Sequence, residues 1–169
     1  MPRRSASKQV DSPDKRLNMR KPLPTVEQLH AQGKAMRESV PRELHGQWKP
    51  HAQREDVLSI IKQSNVGRQE RLIPLRMERM AESPFAFLRG AVAVMAHDSF
   101  PTPTIGHNVV LAGDAHLGNF GLYGSPHREL VFDLNDFDET LIGPWEWDLK
   151  RLTASVNVAG RFLGTSGAS

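Results

Sequence analysis

NVVLAGDAHLGNFGLY, residues 108–123, and LVFDLNDFDET, residues 130–140, decide how this chain is read. Each opens on a short apolar run with strand character, NVVLA at 108–112 and LVFDL at 130–134. FGLY supplies a further strand, ended by Gly124-Ser125-Pro126. The loop GDAHLGN sets Asp114, His116 and Asn119 between glycines 113 and 118. Asp114 could accept a proton or hold a cation, and Asn119 could offer a neutral oxygen to Mg²⁺. His116 could ligate a transition metal, act as a base, or pin the loop through hydrogen bonds. A plain Gly-Asp turn with a capping Asn would show the same letters.

The second loop sets Asp136 and Asp138 on either side of Phe137, just after a strand that contains Asp133. If the two strands lie side by side, Asp114, Asn119 and Asp136 converge. Hard oxygen donors of this kind suit Mg²⁺, with phosphate oxygens completing its shell. Phe137 is expected to anchor the loop while the carboxylates point outward. A solvated acidic loop is the alternative, and the pairing of two such loops favours a site. Seven acidic residues and no Lys or Arg fall between Glu129 and Asp148, a costly clustering unless water or cations offset it.

Working outward, the spacing after Pro144 predicts a helix. Trp145, Leu149, Leu152, Val156, Ala159 and Phe162 form its apolar stripe, and Gly164 ends it. Asp148 falls on that stripe and needs partners, which backbone N–H groups of the loop could supply. Upstream, Ser83-Pro84 caps a helix predicted over Pro84–His97, with Phe85, Leu88, Val92 and Met95 on one face. Short helices are predicted over Thr25–Ser39, over Glu55–Asn65 and from near Pro74. Residues 42–54 read as irregular. Met77, Met80 and Met95 are expected in the core, and Trp145 and Trp147 as packing residues.

The chain has 169 residues, enough for one modest domain, expected over residues 25–169. Residues 1–24 read as a disordered basic leader, with a net charge of +5 over residues 1–21. The leader has no interleaved aromatics, so it reads as a solubilising tail and gives no ground for a nucleic-acid partner. It also lacks the apolar stretch of a secretory signal. No apolar run approaches the ~20 residues that span a bilayer. The absence of cysteine excludes disulfides, thiolate zinc sites and cysteine nucleophiles. A cytoplasmic protein is the default expectation. A hydrophobic helix that stops just before GTSGAS suggests an N-terminal fragment of a longer protein, with uncovered apolar surface that favours self-association.

The strings SPFAFLRG (83–90), GDAHLGNFG (113–121) and NDFDETLIGPWEWDLKRL (135–152) closely resemble the bacterial DUF2252 family. VPRELHGQW (40–48) and LIPLRMERM (72–80) fit it too, and the resemblance runs from about Gly33 to Arg161. That family is larger than this chain, which implies a missing C-terminal portion. More distantly, the two loops resemble those of aminoglycoside phosphotransferases and protein-kinase-like proteins, whose catalytic segment reads H-G-D-x-H-x-x-N. The resemblance implies a partial kinase-like α+β fold: a helical N-terminal part, then short strands with catalytic-type loops and a long helix. It implies an ATP- and Mg²⁺-dependent transfer to the hydroxyl of an unknown small-molecule acceptor. Asp114 would orient the acceptor, with His116 beside it, and Asn119 and Asp136 would hold the metal, assisted by Asp138 or Asp133.

Two departures from that pattern stand out. No G-x-G-x-x-G precedes the loop, and no V-A-I-K strand is present. Arg76, Arg79 and Arg89 are then the phosphate-contact candidates, Arg89 first because it lies in SPFAFLRG; Arg76 and Arg79 also fit a helix surface. Two other readings stay open. One is a non-catalytic kinase-like binding or structural module, which the missing glycine loop favours. The other is a metal-dependent phosphoesterase, because G-D-x-H opens such motifs, although no G-N-H-D string follows.

Overall fold

The computed structural model describes residues 23–164. All of the expected leader except Leu23 and Pro24 lies outside them, as does the end of the chain beyond Gly164. The chain divides into two units, residues 1–35 and 36–169. In the first, helix α1 (Val26–Ser39) begins and buries no residue. Its start is a reciprocal cap: Thr25 Oγ1 accepts from Gln28 N–H at 3.3 Å, and Gln28 Oε1 accepts from Thr25 N–H at 2.8 Å.

The second unit is a mixed α+β fold. Helix α2 (Val57–Gln63) starts where Asp56 accepts from Ser59 N–H at 3.0 Å. Helix α3 (Ile73–Ala81) follows, with Pro74 in its first turn, where a missing N–H costs nothing. Ser83 caps helix α4 (Pro84–Gly90) by accepting from Ala86 N–H at 3.0 Å. The single helix expected over Pro84–His97 is two, because Ala91 leaves the helical region (φ −107°, ψ 37°) before α5 (Val92–Ser99). At the end of α4 the chain approaches α3 closely: a Cβ on Gly90 would lie 2.5 Å from Met80 Cγ. The segment read as irregular holds a 3₁₀ turn at Arg42–Gly46. Ile60, Ile61, Met80, Ala91 and Val94 form the helical core, with Met77 packed against it. Each buried Ile contributes roughly 2 kcal/mol.

Four strands follow among the described residues: β1 (Asn108–Leu111), β2 (Phe120–Gly124), β3 (Leu130–Leu134) and β4 (Leu141–Pro144). They pair as two antiparallel ribbons, β1 with β4 and β2 with β3. Leu111 sits opposite Leu141, and Phe120 sits opposite Leu134. The β2–β3 hairpin is therefore nested in sequence inside the β1–β4 pair. The loop from β1 to β2 and the loop from β3 to β4 must both bridge the same two ribbon ends. Helix α6 (Glu146–Phe162) closes the fold, and Gly164 ends it at φ 75°. No helix among the described residues is long and apolar enough to cross a membrane.

Candidate functional site

The two loops lie against each other. Asn135 N–H donates to the Asn119 carbonyl at 2.9 Å, which fastens the loop roots. Gly113 adopts φ 84° with Glu139 packed on it so closely that a Cβ there would stand 2.8 Å from Glu139 Cβ. Burial raises the Glu139 carboxyl above its ordinary range, and the negative charges of Asp114, Asp136 and Asp138 push it further. Carboxylates of both loops therefore act on Glu139. Asn119 is buried and donates through Nδ2 to the Asp114 carbonyl at 2.9 Å; no hydrogen bond among the described residues engages its Oδ1. Asp136 is half-buried, and its Oδ1 accepts from Asp138 N–H at 3.2 Å in a local turn. Asp138 and Asp133 are exposed. Phe137 is 60% exposed and is not the anchor expected of it; the Asp136 turn and the Gly113 approach fix this loop instead. Among the described residues no three His, Asp or Glu side chains group as a ready metal cage.

The face of α6 that meets the first loop is polar. Leu149, Val156 and Phe162 of the expected apolar stripe are exposed, whereas Glu146, Arg151 and Ser155 are buried. The reason is the loop's need for partners, since its backbone donors are removed from water. Asp148 Oδ2 accepts from Ala112 N–H at 2.7 Å, and Oδ1 accepts from Gly113 N–H at 3.1 Å. The bracing expected of Asp148 is thus present. Ser155 Oγ accepts from Leu117 N–H at 2.8 Å and donates to the Leu152 carbonyl at 2.7 Å. Arg151, 3% exposed, donates through Nε to Asp114 Oδ1 at 2.7 Å and through Nη2 to the Leu88 carbonyl at 2.7 Å. It joins the loop carboxylate to α4. Arg151 falls within the string at 135–152 without a role expected of it, and Ser155 lies outside that string; their spacing from Asp148, i+3 and i+7, marks them as one helix face.

His116 is also buried. Its Nε2 lies 3.7 Å from Asp114 Oδ2, beyond hydrogen-bond reach, and its ring meets the Phe85 ring edge-on at 6.4 Å. Its Nδ1 has no partner among the described residues. Burial lowers its pKa, against the opposing charge of Asp114. A depressed imidazole contributes stability above its unfolded pKa of about 6.5, and that stability is lost as pH falls through the folded value. Thermal melts from pH 7.5 to 5 are expected to show a fall in Tm below about 6.5. His116→Gln should flatten that limb; an unchanged slope would show that another group causes it.

Of the three arginines, Arg89 is exposed and approaches this loop: its Nε is 3.6 Å from where a Cβ on Gly118 would sit. Arg79 is exposed on α3. Arg76 is engaged, donating to Asn65 Oδ1 at 2.8 Å and to the Gly90 carbonyl at 2.6 Å. Trp147 is half-buried and packs near Phe100, with ring centroids 6.5 Å apart.

An α+β chain with two converging acidic loops braced by one helix is what the residues build. Residues 68–169 match the family model described as an uncharacterized protein conserved in bacteria (DUF2252), and the chain belongs to that family. No curated protein and no solved structure matches the chain. The strings at 72–80, 83–90, 113–121 and 135–152 all fall within the matched residues, and the string at 40–48 lies outside them.

Proposed function

We propose that the two loops form the site of an ATP- and Mg²⁺-dependent phosphotransferase acting on a small-molecule hydroxyl, on a kinase-like scaffold. The observation that carries this reading is the contact between the two loops at Gly113–Glu139 and at Asn119–Asn135, which sets Asp114 and Asp136 on adjoining turns. In protein kinases a loop Asp takes the acceptor's proton, an Asn five residues later holds Mg²⁺, and an Asp on a following loop holds it too. Asp114 and Asn119 keep that interval, and Asp136 occupies the following loop. Bracing of the loop backbone by Asp148 is further support.

The donor chemistry fits. Asn119 Oδ1, Asp136 and Asp138 are hard oxygens, and nucleotide-borne Mg²⁺ needs only one or two carboxylates beside phosphate and water. When bound, the ion would offset charge on the phosphates. Asp114, held by Arg151, would align the acceptor hydroxyl. The hydroxyl oxygen attacks the γ-phosphorus, the bond to the β,γ-bridging oxygen breaks, ADP leaves, and the proton passes to Asp114 late.

Titration calorimetry with ATP tests this. Binding is expected to require Mg²⁺, and Asp136→Ala should weaken it at least ~10-fold. Binding indifferent to both changes would refute the site. A non-catalytic nucleotide-binding module is the second reading, favoured by the grip of Arg151 on Asp114 Oδ1. Asp114→Asn separates the two: only the phosphotransferase loses ATP turnover while Mg²⁺–ATP still binds.

A further inference from the structure

A groove of about 890 Å³ runs along α3 and α4, with Arg68, Arg76, Arg79 and Arg89 in its lining. Among the described residues, Glu82 is the one carboxylate that lines it. Among the described residues none of the four arginines is ion-paired, whereas Arg54 and Arg151 are. Arg68 donates through Nε to the Ser64 carbonyl at 3.0 Å, and Arg76 is fixed by Asn65 and Gly90. These two build the wall. Arg79 and Arg89 make no side-chain hydrogen bond among the described residues and leave two guanidinium forks for a ligand. Burial and the charge of Arg68 both lower the pKa of Arg76, so the like charges here are felt and not offset.

Guanidinium forks match phosphate oxygens two at a time. The groove also reaches the candidate site, because Arg89 lines it and lies beside Gly118 of the first loop. The chain has no G-x-G-x-x-G string that would cradle phosphates through backbone N–H groups.

We propose that this groove binds an oligophosphate chain through Arg79 and Arg89, delivering its end to the Asp114 loop. Its direction toward that loop rests on the phosphotransferase reading; the anion site itself rests on the arginines. The phosphates belong either to the nucleotide or to a phosphorylated acceptor.

The test is calorimetry of the whole chain with inorganic tripolyphosphate, without Mg²⁺. Tripolyphosphate should bind, and the double variant Arg79→Gln/Arg89→Gln should weaken it at least ~10-fold at unchanged Tm. Arg161→Gln, an exposed charge removed at the end of α6, should leave it unchanged. Competition by ATP identifies the phosphates as the nucleotide's, and absence of competition identifies a phosphorylated acceptor; both uphold the groove. No binding, or an equal loss in Arg161→Gln, overturns it. Asp136→Ala should keep tripolyphosphate binding. If that variant also keeps Mg²⁺–ATP binding, the catalytic reading falls and the groove stands.

Discussion

Arg151→Met is expected to lose about 3–5 kcal/mol of folding stability, the cost of leaving a partly buried carboxylate unpaired. Arg151 is 3% exposed and the Asp114 side chain 13%, so water offers little compensation for the lost partner. The Leu88 carbonyl loses its donor in the same step. Against a total of about 5–15 kcal/mol for a domain, this leaves a marginal fold. Urea titrations measure the loss directly. Arg151→Met combined with Asp114→Asn should recover part of it, because the stranded charge is gone. A double variant no more stable than the single one would mean that Arg151 acts mainly through α4 and not through the carboxylate.

Gly113→Ala should be nearly as damaging, at about 3 kcal/mol. Part is the left-handed backbone at φ 84°, which costs a residue with a Cβ about 1–2 kcal/mol. The rest is collision of the new methyl with the Glu139 carbonyl, a backbone group that no rotamer change can move away. Relief requires the two loops to part, so the midpoint of urea unfolding should fall and, under the proposed phosphotransferase reading, Mg²⁺-dependent ATP binding should weaken with it. Gly124→Ala is the contrast: an added Cβ there meets nothing within 4 Å, and its effect should be small. Equal effects at the two glycines would show that the loops do not rely on this contact.

Much of this was legible in the sequence because it is local. Thr25, Ser83 and Gly164 announce helix ends by capping chemistry, and the caps are where the letters put them. The polar loops after β1 and β3 were visible from abrupt changes in polarity. Strand β4 was not: Leu-Ile-Gly-Pro is four residues long, without alternation, and becomes a strand only because β1 pairs with it. The break at Ala91 has no local signal either: neither a proline nor a capping side chain marks it in SPFAFLRGAVAV. The face of α6 misled in a more instructive way. Hydrophobic periodicity assumes that what is buried is apolar. Here the helix meets a loop full of unpaired donors and a carboxylate, so Glu146, Arg151 and Ser155 go inward while Leu149 and Val156 stay out. The need of a half-hidden charge for partners singles out Asp148 from the sequence, and the same need at Arg151 points to Asp114.

Helix α6 also works as a gauge. Its residues 148, 151 and 155 touch the loop at 112–113, 114 and 117, in the same order. Seven residues of helix advance about 10.5 Å, and that fixed rise sets how far the loop is stretched. One extra residue between Asp148 and Arg151 would swing everything beyond it by about 100°, carrying the guanidinium and the hydroxyl off the loop together. The shape of the loop is thus written largely in the pitch of a neighbouring element. Its own letter at the exposed Leu117 is freer to vary than the count of residues along the helix.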